Sequence, residues 1–168
     1  MRDIASRNAN AAVELQGYQA QKTGSIRVLD LELACQASLE RFAALIEREY
    51  EWIDGLINNA GVGALGLVEG FSVEQVRQLF EINYFAPLSL INLLLPLLRQ
   101  SQQAKIINIS SVGGRLCFPC LTHYCASKHA LEALSEGLSV ELQGAGIDVH
   151  GIEPVSYPNM TLPTSDSA

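Results

Sequence analysis

The sequence predicts an α/β fold in which a parallel sheet is flanked by helices. Three observations carry the prediction. Short aliphatic and β-branched runs recur at 25–31, 53–57, 104–109 and 147–152, each bounded by turn-forming residues. Between them lie long segments whose apolar residues follow helical spacing, at 38–50, 72–98 and 124–142. Strands separated by helices of that length are joined by βαβ crossovers, which make neighbouring strands parallel and put helices on the sheet's two faces.

The elements follow in order. Residues 5–15 are alanine-rich with few breakers and read as a helix that stops at Gly17. SIRVLDL at 25–31 is the first predicted strand. The helix at 38–50 places Leu39, Phe42, Leu45 and Ile46 on one face. The strand at 53–57 runs straight into Asn58-Asn59-Ala60-Gly61, and glycines at 61, 63 and 66 make the next segment a loop. Ser72, with Glu74 and Gln75 behind it, is placed to cap a long helix that reaches about Leu98. AKIINI at 104–109 is another apolar strand. From Tyr124, the spacing of Leu131, Leu134, Leu138 and Leu142 predicts a helix ended by Gly144 and Gly146, and IDVHGI is the last strand. Residues 1–154 read as one domain, and the polar, proline-bearing 155–168 as an irregular tail.

Composition narrows the function classes. At 168 residues, with 48% hydrophobic and 17% charged residues, the chain suits one globular domain with a core of its own. A net charge of -7 argues against nucleic-acid binding, which needs clustered Lys and Arg. MRDIASRNANAA lacks the apolar centre of a signal peptide. The apolar run at 88–98 is short for a membrane span and carries Asn92 and Pro96, so it reads as a buried helix, without a transmembrane segment, in a cytoplasmic protein. Cys117-x-x-Cys120, with His123 and Cys125 close behind, is one short run rather than two separated knuckles, so small buried thiols are expected there and no metal. His123, His129 and His150 follow no ligand spacing.

The chemistry concentrates between Ser111 and Lys128. Tyr124 and Lys128 stand four apart, on one face of a predicted helix, so the ammonium can lie beside the phenol. A free phenol has a pKa of about 10, and a neighbouring cation lowers it, typically by about one to three units. Ser111, thirteen residues before Tyr124, ends the apolar strand at 104–109; alone it reads equally as a serine satisfying nearby backbone. Asn83 precedes Pro87 by four, and a proline has no N–H, so in a continuing helix the Asn83 carbonyl loses its partner and is free to hold a water.

Taken together, Asn58-Asn59-Ala60-Gly61, Asn83, Ser111 within INISSVGG, Tyr124-Cys-Ala-Ser-Lys128, and Asp30 in VLDLEL resemble the short-chain dehydrogenase/reductase family. The resemblance covers about 25–154 and implies a Rossmann-like sheet and an NAD(P)-dependent oxidoreductase that interconverts an alcohol and a carbonyl. It implies that Tyr124 handles the substrate proton, that Ser111 orients the substrate oxygen, and that Lys128 acts on the phenol and holds the nicotinamide ribose. Asn83 would connect a water to Lys128, Asp30 would meet the adenine, and Asn59, Ala60 and Gly61 would lie against the cofactor. Arg2, just before the first predicted helix, inclines the cofactor toward NADP over NAD, since a basic residue there suits a 2′-phosphate. The YCASK form and the apolar loop at 116–121 look most like members acting on retinoids and steroids, so an apolar alcohol or ketone is the expected substrate. The long helices imply a homodimer.

The departures matter as much. The family's T-G-x-x-x-G-x-G phosphate loop is absent, so the resemblance implies loss of the first two strands of a sheet ordered 3-2-1-4-5-6-7. At the other end Pro154 is followed by Val155, without the family's P-G-x-x-x-T segment or its last strand. Two functions therefore stand open: a truncated oxidoreductase, and a non-catalytic remnant that serves as a dimerising or binding module.

Overall fold

A computed structural model describes residues 2–5 and 26–154. Its centre is a parallel three-stranded sheet in the order β3-β4-β5, with β3 at Gly55–Asn58, β4 at Ala104–Ile109 and β5 at Ile147–Ile152. Ile106 of β4 stands opposite Leu56 on one side and Val149 on the other. The last two strands coincide with the runs predicted from sequence. The strand expected at 53–57 forms two residues later, because Ile53 still bonds back to the carbonyl of Leu97.

A second sheet pairs β1, Arg2–Ala5, with β2, Ile26–Leu29, also in parallel. β1 was not foreseen, since RDIA is short and leads into an alanine-rich run. It corrects one expectation. A parallel strand does stand beside β2, as the second strand stands beside the third in the resembled order, so the described residues lack one of those two strands and not both. The two sheets share no hydrogen-bonded strand pair. The helix predicted at 5–15 and the tail at 155–168 fall outside the described residues, except that Ala5 belongs to β1.

The described residues form four α-helices: α1 at Gln36–Glu49, α2 at Val73–Phe80, α3 at Ala86–Leu98 and α4 at Thr122–Glu141. Ala43 and Ile46 of α1 pack on Leu94 and Leu97 of α3, with Leu29 and Leu56 against them. Strands from both sheets thus rest on one helical layer although no described strand of one pairs with a strand of the other. Ile91 and Leu98 of α3 and Leu142 after α4 enclose Ile106, Ile147 and Val149. Each such side chain contributes about 1.5–3 kcal/mol when fully removed from water. Helices were expected on both faces. Among the described residues α1, α3 and α4 all pack on the face that carries Leu56, Ile106 and Val149.

The α2–α3 path opens on a capping box: Ser72 Oγ accepts from Gln75 N at 3.2 Å and Gln75 Oε1 accepts from Ser72 N at 2.8 Å. Between α2 and α3 the helix widens into one π-helical turn, Glu81–Phe85, in which Ala86 N–H reaches back to the Glu81 carbonyl. The widening falls just before Pro87, which has no N–H to continue an α-helical ladder. Taken as one helix, Val73–Leu98 is long and apolar enough to cross a membrane by length and composition. In the fold its α3 segment buries Ala86, Leu90, Ile91, Leu94, Leu97 and Leu98 as the core helix.

Candidate active site

Parallel strands present ligands at their carboxyl ends. The loop after β3, the turn after β4 and the start of α4 meet at that edge. They enclose a cleft of about 240 Å³ lined by Asn59, Gly61, Val62, Ile109, Tyr124 and Lys128, among others. Ser110 lines it as well, whereas Ser111 does not.

α4 begins at Thr122, so Tyr124 and Lys128 occupy its first two turns and share a face. Tyr124 is half-buried and Lys128 is 4% exposed. Lys128 Nζ donates to the Ile109 carbonyl at 2.8 Å, fixing the ammonium at the end of β4. Burial pushes its pKa below the ordinary lysine value, and the Glu132 carboxylate one turn along partly offsets this.

Ser111, two residues beyond β4, caps a short turn at Val112–Gly114, its Oγ accepting from Gly113 N at 3.1 Å. That is the local backbone role considered from sequence, and the hydroxyl proton is left over for another acceptor. A Cβ on Gly113 would stand 3.3 Å from Tyr124 Cε1 and 3.5 Å from Ser111 Oγ, so the phenol ring and the serine close on the same side of Gly113. Gly61 has a comparable place across the cleft. A side chain there would meet Lys128 Nζ and Asn83 Oδ1, each at 3.3 Å.

Asn83 is fully buried in the π-helical turn. Its amide side chain, rather than the carbonyl expected to matter beside Pro87, supplies the visible connections. Oδ1 accepts from Val62 N at 2.9 Å, while Nδ2 donates to Val62 O at 2.9 Å and to Ser127 Oγ at 3.0 Å. Ser127 Oγ donates in turn to the Tyr124 carbonyl at 2.7 Å. Asn83 therefore clamps the loop after β3 to the helix that carries Tyr124 and Lys128.

A second polar ladder was not foreseen. Asn58 Nδ2 donates to Asn108 Oδ1 at 2.8 Å, and Asn108 Nδ2 to Ser135 Oγ at 2.9 Å, all three buried. It ties β3, β4 and α4 together beneath the cleft. The signal was present: an asparagine at the end of an apolar strand run, in LINN and again in IINI.

The remaining residues separate. Asp30 is exposed and follows the last residue of β2, at the carboxyl edge. Asn59, Ala60 and Gly61 are exposed after the last residue of β3. Arg2 is the first residue of β1, at the amino end of that parallel strand, and so does not stand just before a helix as expected. The next basic residue after Ala5 is Arg7, which lies outside the described residues. Cys125 is buried as expected, but Cys117 and Cys120 are exposed. They lie on a loop that meets solvent, with Cys120 at a positive φ of 63°. Among the described residues no three metal-binding side chains converge.

The family model for the short chain dehydrogenases matches residues 3–161. The chain belongs to the short-chain dehydrogenase/reductase family. The uncharacterized oxidoreductase YusZ of Bacillus subtilis is 37% identical over 97% of this chain and 62% of its own length. A short-chain dehydrogenase from Streptomyces avermitilis superposes with a TM-score of 0.82 at 34% identity, covering 90% of this chain and 55% of that one. Pseudomonas aeruginosa RhlG, solved with NADP, also gives 0.82, at 32% identity over 93% of this chain and 62% of its own. The dehydrogenase/reductase chain thus spans 55–62% of the length of these relatives.

Proposed function

We propose that this chain is the proton-handling portion of an NAD(P)-dependent oxidoreductase that interconverts an alcohol and a carbonyl. The observation that carries the reading is the single cleft in which Tyr124, Lys128 and the Gly61 loop meet. A nicotinamide cofactor, when bound, supplies or accepts the hydride. Asn59, Ala60 and Gly61 offer exposed backbone with no side chain at Gly61, which suits close approach of a flat ring and its ribose. Asp30, exposed at the end of β2, suits an adenosine. RhlG holds NADP, which supports a nicotinamide dinucleotide here, with NAD the other choice.

In this reading Tyr124 gives the substrate oxygen its proton or takes it away. Lys128 keeps a positive charge beside the phenol and holds the ribose. Ser111 orients the substrate oxygen with the hydroxyl proton left free by its capping role. Asn83 holds the Gly61 loop in register with α4 and relays a water to Lys128. Leu65, Leu67, Val68, Leu116 and Phe118 are exposed on two loops joined by the Gly66 N to Cys120 O bond of 2.8 Å. That apolar rim favours an apolar alcohol or ketone, of retinoid or steroid kind. A homodimer through the long helices α3 and α4 belongs to the same proposal.

The test is Tyr124→Phe in a form that includes the rest of the cofactor site. Turnover is expected to fall by at least about 10²–10⁴-fold with cofactor affinity nearly unchanged. Wild-type turnover in that variant would sink the proton-donor role. A second reading, a non-catalytic dimerising or binding module, draws on one observation: no described strand pairs with the free edge of β3. NADPH fluorescence titration of residues 1–168 separates the two. Weak binding is expected, because the T-G-x-x-x-G-x-G loop that would receive the pyrophosphate does not occur in the sequence. Tight binding would show that this loop is not needed.

A further inference from the structure

Two charged side chains are buried among the described residues, and they stand one turn apart on α4: Lys128 at 4% exposure and Glu132 at 5%. The proposed chemistry uses the first and leaves the second unexplained. Buried carboxylates do not persist without a partner. Glu132 Oε2 lies 3.3 Å from Arg115 Nη2, and Oε1 has no hydrogen-bond partner.

Arg115 joins three segments. Besides Glu132, it meets Glu136 of α4 through Nη1 at 2.7 Å and Glu153, just beyond β5, through Nε at 2.7 Å. It follows directly on the turn that Ser111 caps. Two glycines let the carboxylate in. A Cβ on Gly114 would stand 2.9 Å from Glu132 Cγ and 3.2 Å from the Lys128 carbonyl, and one on Gly151 would stand 3.1 Å from Glu132 Oε2. β5 is tied to the same place by Ser110 N donating to Ile152 O at 2.7 Å.

We propose that Glu132 is a positioning residue for the cleft: gripped by Arg115 between Gly114 and Gly151, it locks the Ser111 turn and the end of β5 to the helix turn of Lys128. This rests on the reading of Tyr124 and Lys128 as the proton-handling pair. A buried ion pair gains little stability over apolar packing, so its place beside Lys128 is better accounted for by what it does there. The carboxylate favours the ammonium form that burial disfavours. Few other charges face Lys128. α4 contributes Glu132, which acts on Lys128 directly, and Tyr124 on the same helical face; Arg115 of the β4–α4 turn reaches Glu132, and Glu153 at the end of β5 reaches Arg115. The π-helical turn presents the neutral Asn83, and residues 58–63 and 106–111 contain no ionisable side chain.

The test reads Lys128 directly by ¹³C NMR titration of its side chain in the 168-residue protein, where the only other lysines are Lys22 and Lys105. Lys128→Met assigns the resonance. Glu132→Gln keeps the shape and removes the charge, so the Lys128 midpoint is expected to fall by about half a pH unit or more. Arg115→Gln removes a cation and leaves the carboxylate to act on Lys128 alone, so the midpoint is expected to rise. Loosened packing alone would move both variants the same way or neither, and either result overturns the proposal. In the catalytically complete form, Glu132→Gln is expected to lower kcat more than tenfold with little change in KM. Its alkaline limb should shift to lower pH. If Glu132→Gln does not fold, the upward shift in Arg115→Gln decides. Opposite NMR shifts without any dehydrogenase activity in the wild type would uphold the role of Glu132 toward Lys128 and sink the proposed oxidoreductase function.

Discussion

The two faces of the central sheet differ sharply. On one, Ile106 and Ile147 are 0% and 2% exposed beneath α3 and α4. On the other, Ile57 is 62% and Ile152 44% exposed, although both belong to the same strands or their direct neighbours. The covered face is also the one on which the helix bearing the proposed site packs. α4 packs on it, and through α4 the Asn58–Asn108–Ser135 ladder, the Asn83 clamp and the Arg115–Glu132 pair all fasten the cleft. The contrast teaches that one layer of helices suffices to place Tyr124 and Lys128, whereas the cofactor site proposed for them would need the crevice beyond β3 as well.

The largest effect should come from deleting packing on the covered face. Ile106→Ala removes the centre of the cluster formed by Ile91, Leu98, Ile147 and Val149. It is expected to destabilise by about 2–5 kcal/mol in urea denaturation. A cost near that of an exposed residue would mean that α3 and α4 do not seal this face in solution.

A smaller effect sharpens the comparison through charge. Lys128 is buried on the covered side, and burial holds its pKa below that of an unfolded lysine. Between the lowered folded value and the unfolded value of about 10.4, the unfolded chain binds more protons, so stability should rise with pH across that window. Below the window Lys128 is charged in both states and its desolvation opposes folding in full. Lys128→Met should flatten the rise measured by urea denaturation between neutral and alkaline pH. An unchanged slope in the variant would show that Lys128 is hydrated in solution.

Much of this was legible in the sequence, for identifiable reasons. β4 and β5 were recovered to the residue because apolar runs bounded by turn residues leave little freedom, and the Ser72 cap because its box is a local pattern. Tyr124 and Lys128 were legible because one helical turn fixes their relation. β1 was not, since a four-residue strand takes its identity from a partner twenty-four positions away, Arg2 opposite Ile26. The Asn83 clamp was read as a backbone effect of Pro87, while its amide bonds depend on where the loop at Val62 returns. Glu132 has no sequence signal of its own, because nothing in i, i+4 spacing tells that Gly114 and Gly151 make room for it.

The smallest effect tests the open face itself. AKIINI has apolar residues at adjacent positions, the pattern of a strand covered on both sides, yet Ile107 and Ile109 are only half-buried. Ile57 on β3 is more exposed still, so Ile57→Thr should change the stability of the 168-residue protein by less than about 0.5 kcal/mol. Thr keeps the β-branched backbone preference, so only the loss of apolar contact is read. In a longer form that lays further chain over this face, the same substitution should cost about 1–3 kcal/mol, the range for a hydroxyl buried without a partner. Equal effects in the two forms would show that the exposed face is not where the added length packs. The helical layer on the other face would then be the whole of the fold's support for the cleft.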